Sequence, residues 1–345
     1  MSKKVIALCI AVVMGLAVLA AGCGGGDKKA APAAPAKKVI KISIGLNEQS
    51  HEYAGLKKFK EEVEKNSKGR YEVQLYANAQ LGDDVKATEA LRAGTLEMTA
   101  PSTSPLTGMS KELGVFDLPF IFPNSEVAYK VLDGPVGQKI LDSLQSKGLV
   151  GLAFWDNGFR HLTNSVREVK TPEDVKGMKV RTMQNPMHLA AWKALGANPT
   201  PMPFSEVFTA MQQKTIDGQE NPVPTIYQQK FYEVQKYCTL TGHIYTPFVV
   251  LMSKKVWDGM SKEDQKIFKD AAVVARDHER KVSADMNKSQ VEKLRQAGMT
   301  VTELTPAQLK AFQDAVAPVY GEFSGKIGAD IVKAVQEEVK KLTKK

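Results

Sequence analysis

The sequence predicts an α/β protein divided over two domains. Three observations carry this expectation. Strand-like and helix-like patterns alternate along the chain. Roughly 300 residues follow a short N-terminal apolar run, more than one compact core usually holds. One unbroken helical pattern near the C-terminus is long enough to lie across two domains.

Val39 to Leu46 alternates apolar and polar residues as a half-buried strand does. From Ala54 to Asn66, Leu56, Phe59 and Val63 recur at helical spacing, and Gly69 closes the pattern. Tyr71 to Tyr76 reads as a second strand, Asp84 to Ala93 as a helix ended by Gly94, and Leu96 to Ala100 as a third strand. Alternation at this spacing argues for a mostly parallel sheet. Leu149 to Trp155 and Met178 to Met183 are further strands. Thr171-Pro172-Glu173-Asp174 reads as an N-cap followed by proline at the first helical position. Ser205 to Lys214 is a helix, Asp217-Gly218 a turn, and Thr246 to Met252 a strand returning to the first layer. Ser261 to Ala297 stays helical without Pro or Gly, with Ser261 and Asp264 as a cap-like start and Gly298 as its end. At 1.5 Å per residue this helix spans roughly 54 Å.

The N-terminus reads as an address. Lys3 and Lys4 precede the apolar run Val5 to Ala20, which is short for a membrane span and placed as in a signal peptide. Leu19-Ala20-Ala21-Gly22-Cys23 resembles the lipobox of bacterial lipoproteins, with Ala20 in place of a larger aliphatic residue. The expectation is a signal peptide over 1–22, diacylation of Cys23, and a flexible tether over 24–38 rich in Gly, Ala, Pro and Lys. Cleavage there leaves a net charge of +7, two below the +9 of the whole chain. A tether rich in lysine beside an anionic bilayer, and the run Lys340 to Lys345, account for much of the excess. Nucleic-acid binding would want basic stripes with interleaved aromatics, and the sequence has none. The expected location is extracytoplasmic, anchored by lipid at Cys23.

Charged residues make up 25% and hydrophobic residues 43%, which excludes a disordered polyelectrolyte and a multi-span membrane protein. Once Cys9 and Cys23 are set aside, Cys238 remains alone, so no internal disulfide is expected. No G-x-G-x-x-G, P-loop, G-x-S-x-G or H-E-x-x-H occurs, and the five histidines lack ligand spacing. No cofactor, metal or catalytic residue is therefore assigned. The carboxylate pairs Asp83-Asp84 and Glu61-Glu62 read as a helix-start pair and a solvated helix face.

The arginines carry more. Only eight of the 47 basic residues are Arg. Lysine suffices for solubility, whereas a planar guanidinium is wanted where a fork must grip a carboxylate. Arg160 and Arg181 both follow apolar strand patterns, near strand ends where ligand crevices open in α/β sheets. Each either binds a ligand or pairs structurally with a local acid such as Asp156 or Glu173.

Several ordered blocks extend this reading. They are Thr171-Pro172-Glu173-Asp174-Val175-Lys176-Gly177-Met178-Lys179-Val180-Arg181, Gly196-Ala197-Asn198-Pro199-Thr200-Pro201-Met202-Pro203-Phe204-Ser205-Glu206-Val207, Asp217-Gly218-Gln219-Glu220-Asn221-Pro222 and Lys230-Phe231-Tyr232-Glu233-Val234. With Gln80-Leu81-Gly82-Asp83-Asp84 and Asp117-Leu118-Pro119-Phe120, they make Val39 to Phe323 resemble the substrate-binding subunits of TRAP (tripartite ATP-independent periplasmic) transporters for organic acids. The resemblance implies a periplasmic-binding-protein-like flytrap of two α/β domains with a long helix bracing both. On this chain the domains would be 39–157 with 246–280, and 158–245 with 281–345. It implies partner permease subunits in the membrane, driven by an ion gradient.

The resemblance also implies roles for single residues. Arg181 matches the principal carboxylate-binding arginine, Arg160 a second contacting arginine, and Asn221 a further donor. Phe204 matches an aromatic pocket wall. Asn47 ends the first strand, where the family reads the far end of its ligand, and His51, Ser102 and Trp155 are further candidates. The loop Glu48-Gln49-Ser50-His51 is shorter than in sialic-acid binders, and Ser102 stands where those binders have glutamate. These departures point away from sialic acid and leave sugar acids, C4-dicarboxylates and other small carboxylates. Two other classes compete: an extracytoplasmic lipoprotein enzyme acting on organic acids, and a ligand-sensing subunit of a membrane kinase.

Overall fold

The computed structural model describes residues 37–344. The leader, Cys23 and the tether up to residue 36 lie outside the described residues.

Eleven strands follow one another among those residues: β1 (Lys38–Ser43), β2 (Tyr71–Tyr76), β3 (Met98–Thr99), β4 (Leu149–Phe159), β5 (His161–Asn164), β6 (Lys179–Thr182), β7 (Asn198–Pro201), β8 (Gly218–Asn221), β9 (Tyr237–Leu240), β10 (Tyr245–Ser253) and β11 (Thr300–Glu303). They build two sheets, ordered β2-β1-β3-β10-β4 and β11-β9-β5-β8-β6-β7. Each sheet is parallel except for one reversed strand, β10 in the first and β5 in the second. The expected mostly parallel layer is thus present twice.

The chain passes between the sheets three times: twice from strand to strand, which yields the reversed strands, and once through the segment between β10 and β11. β4 leaves the first sheet and, after Arg160 alone, becomes β5 of the second; β9 returns through 241–244 into β10. Both long crossing strands are almost wholly buried, which explains their near-continuous apolar sequences. Pro247 cannot donate to the ladder, and the register of β10 against β4 shifts at Thr246/Pro247.

The expected long helix runs from Lys262 to Gln296, with Ser261 capping it by accepting from the Asp264 amide. Phe268, Ala271, Ala272 and Ala275 pack into the core of the first sheet, and Leu294 into that of the second. Small residues let it approach closely: the Trp155 indole donates to the Ala272 carbonyl at 3.1 Å. The facing helix His51–Asn66 needs Gly55, where a Cβ would stand 2.6 Å from the Trp155 ring and 2.8 Å from Glu279 Cβ.

Three sequence expectations change. Asp217-Gly218 is not a free turn: Gly218 opens β8, and Asp217 accepts from the Lys179 amide at 2.8 Å. The helix expected over Ser205 to Lys214 is a short 3-10 turn at Phe204–Glu206 followed by Val207–Gln212. The lysines at 340 and 341 belong to the last turn of a helix, Ala329–Thr343. Thr171 does cap, with Asp174 reciprocating, but the turn it starts is only Pro172–Val175. Among the described residues no helix is long and apolar enough to cross a membrane.

Candidate ligand-binding site

Five strands bring one end to a common cavity. Gly45 and Leu46 follow β1, Ser102 follows β3, and Asn157 and Arg160 mark the end of β4; these come from the first sheet and its exit. Arg181 with Met183 and Gln184 from β6, and Asn221 from β8, come from the second. All are carboxyl ends, where open α/β sheets place their crevices. The free space within the cavity is narrow, about 40 Å³.

Arg160 is fixed by the crossing itself. Its amide donates to the Ile244 carbonyl at 2.8 Å, joining the two strand-to-strand connections between the sheets. Its guanidinium, 1% exposed, donates from Nε and Nη2 to the Glu220 carboxylate, from Nη2 to the Glu220 carbonyl at 2.6 Å and to Asn221 Oδ1 at 3.1 Å. The structural partner is therefore Glu220, not Asp156 or Glu173. Burial works against the Glu220 charge, but Arg160 and then His243 hold its carboxyl well below the usual range. His243 Nε2 lies 3.3 Å from that carboxylate.

Arg181 differs. It is 2% exposed, and both Nε and Nη2 donate to one neutral acceptor, the Met202 carbonyl, at 3.0 and 2.7 Å. Its Nη1 has no hydrogen-bond partner. Burial brings its pKa down to about 10, with the Glu220 charge opposing. It stays cationic at neutral pH; among the described residues no carboxylate forms a salt bridge with it, and Glu220, Asp84 and Glu206 act on its charge from further off. Phe204 covers the same corner, its ring centre 6.0 Å from the guanidinium carbon.

Of the residues expected from sequence, Arg160, Arg181, Asn221, Phe204 and Ser102 meet at this cavity. Asn221 spends its amide N–H on Gln219 and its oxygen on Arg160. Asn47, His51 and Trp155 do not line it. Asn47 instead donates to the Gln228 carbonyl at 2.8 Å. His51 is fully buried, 3.6 Å from Glu279, and burial lowers its pKa. Trp155 is fully buried in the first core.

Sequence reasoning missed Glu52, Asp84, Asn157, Met183 and Gln184 as lining residues. Asp83 is indeed the helix cap, accepting from the Val85 and Lys86 amides. Asp84 is not its twin. It turns inward, takes the Ser102 amide at 3.3 Å, and burial raises its pKa to about 7. Only the three-dimensional course of the first turn separates the two.

Residues 42–326 match the bacterial extracellular solute-binding protein family 7, DctP. The chain is 37% identical to the 2,3-diketo-L-gulonate-binding periplasmic protein YiaO of Escherichia coli (strain K12), over 88% of this chain and 92% of that protein. It superimposes with a TM-score of 0.87 on the sugar acid binding protein DctPAm of Advenella mimigardefordensis in complex with galactonate, at 42% identity, covering 88% of this chain and 98% of that one. A TRAP periplasmic solute-binding protein of Sulfurospirillum deleyianum with bound succinate gives 0.84 at 37% identity, covering 87% and 99%. Matches along nearly the whole described chain, in sequence and in fold, place this protein in the DctP family of TRAP substrate-binding proteins, which work outside the cytoplasm.

Proposed function

We propose that this protein captures a small organic acid through Arg181 and passes it to an ion-gradient-driven TRAP permease. The observation that carries the reading is the Arg181 guanidinium: buried, cationic, and with Nη1 unpartnered at the cavity. A carboxylate there gains charge-assisted hydrogen bonds that no protein group supplies. Phe204 walls the bound acid, and Arg160 and Asn221 line the cavity beside it. The relatives with galactonate, diketogulonate and succinate in their names support an acid as cargo.

Residues 39–157 with 246–280, and 158–245 with 281–345, act as two lobes that close on the ligand. Closure excludes water and strengthens each contact to the carboxylate. The protein binds and releases its cargo unchanged; time-resolved NMR of protein with ligand showing any turnover would refute this. A lipid on Cys23 holds the lobes near the permease, and intact mass of membrane-extracted protein would show the two added acyl chains.

Calorimetry with the preferred acid tests the anchor. Arg181→Ala loses about 2–5 kcal/mol, or roughly 30-fold or more in affinity. Arg181→Lys is also poor, because a point charge does not replace a fork. Unchanged affinity in the alanine variant would falsify the assignment.

A further inference from the structure

Arg181 and Asp84 line the same narrow cavity from its two sides. Asp84 opens the helix Asp84–Ala93 and is half-buried there. Among the described residues it forms no salt bridge, and its carboxylate accepts only the Ser102 amide, at 3.3 Å. Four charged or titratable groups face it. Asp83 precedes it as the helix cap, Glu52 stands on the neighbouring helix His51–Asn66, Arg181 comes from β6, and Arg160 from the end of β4.

Three of these four are already settled. Arg160 is matched by Glu220. Asp83 is matched by the two amides it caps and by Lys86 at 3.5 Å. Glu52 is 1% exposed, and burial, then Asp84 and Glu279, push its carboxyl well above the usual range, so it stays protonated throughout. What remains is one cation and one acid. Burial brings Asp84 to about 7 and Asp83 adds to the rise, while the Ser102 amide, Arg181 and Arg160 oppose it.

Arg181 therefore serves two anions in turn. Before the cargo arrives, its charge helps keep the proton off Asp84. A cargo carboxylate on the guanidinium spends that charge and adds a negative one in the same confined space. An ionised Asp84 would then face a like charge with no cation of its own, and carboxylates that share such a site do not both stay ionised.

Resting on the reading of Arg181 as the carboxylate anchor, we infer that Asp84 is the proton acceptor of capture: the cargo carboxylate and one proton from solvent enter together, and Asp84 passes from carboxylate to carboxylic acid. No bond in the cargo breaks, and the net charge added to the cavity is close to zero. Affinity is highest below about pH 7, where Asp84 already carries its proton. It falls as the pH rises from there to the higher pKa of the loaded site.

The test is calorimetry at about pH 8 with D-galactonate, D-erythronate and succinate, carboxylates that are ionised at that pH. Each is titrated in HEPES and in Tris, which differ in heat of ionisation, so the difference in binding heat counts protons. Loading that raises the Asp84 pKa by about 1 or more brings in about 0.4 proton or more with the tightest of the three acids. The affinity for that acid falls about 7-fold or more between about pH 6.5 and about pH 9. Asp84→Asn has no proton to gain and loses both effects. Equal heats in the two buffers for the unaltered protein overturn the inference, as does uptake that persists in Asp84→Asn. Should Asp84→Asn fail to fold, carboxyl carbon NMR of the unaltered protein reads the same group, and a titration midpoint unmoved by the bound acid overturns the inference. Arg181→Ala separates this claim from the one beneath it. Weakened binding in that variant, with no proton uptake in the unaltered protein, keeps the anchor and rejects only the proton linkage. Unchanged affinity in that variant rejects both, and so does failure of all three acids to bind.

Discussion

The two sides of the cavity hold charge in opposite ways. The second-sheet side meets the crossing strands with two buried guanidinium groups. One, on Arg160, is cancelled by Glu220; the other, on Arg181, donates only to a backbone carbonyl. The first-sheet side holds Glu52 and Asp84, and burial raises the pKa of both. A buried cation of this kind cannot easily shed its proton, so it needs a partner or stays frustrated; a buried acid simply protonates. The difference teaches which groups are framework and which are free to act. Arg160 is tied into both strand-to-strand connections between the sheets, whereas Arg181 is held in place but not satisfied.

Three measurements sharpen or break this contrast. The largest effect is expected from Glu220→Gln, which leaves Arg160 buried without its counter-charge. Chemical denaturation is expected to show a loss of about 3–5 kcal/mol. A loss below the error of the measurement would mean that solvent or His243 and its neighbours already screen the pair. Next comes Arg181→Met, measured without ligand. Replacing an uncompensated buried charge by an apolar chain of similar length is expected to be neutral or stabilising by about 1–4 kcal/mol. Destabilisation of the same size as for Glu220→Gln would erase the distinction between the two arginines.

The smallest effect concerns the acidic side. The folded pKa of Asp84, about 7, lies above its ordinary 3.8. Its protonated form is thus favoured by folding. That contribution is fully present below about pH 4 and is lost as the pH rises through about 7. Asp84→Asn, which mimics the protonated group, is expected to flatten the pH dependence of the ligand-free melting temperature across that window. An unchanged slope would show that Asp84 is solvated in the open protein.

Local physics made much of the fold legible. β1, β2 and the long helix announce themselves by periodicity, and the capping residue Ser261 marks its start correctly. The strands that sequence reading passed over have physical reasons to be silent. β8 reads Gly-Gln-Glu-Asn, yet all four residues are buried, because their polar groups are satisfied by one another and by Arg160. β7 carries two prolines and is tolerated because it is an edge strand. The site was legible where a scarce residue type stood at a strand end, as with Arg160 and Arg181. It was not legible at Glu52 and Asp84, since an acid in the first turn of a helix is ordinary in sequence whether it faces water or a cavity. Nor did the sequence distinguish Trp155 and His51, both buried behind the site, from residues lining it.

The order of strands in the first sheet also constrains the order of events in time. β3 and β4 lie on either side of β10, and neither pairs with the other. A growing chain therefore carries two incomplete halves of that sheet, with unpaired edges, until Ser253 has been made. The pairing of Thr99 with Leu251 joins residues about 150 positions apart, a separation that slows folding. A chain truncated before Tyr245 would have no strand to fill the gap and would expose both edges to association.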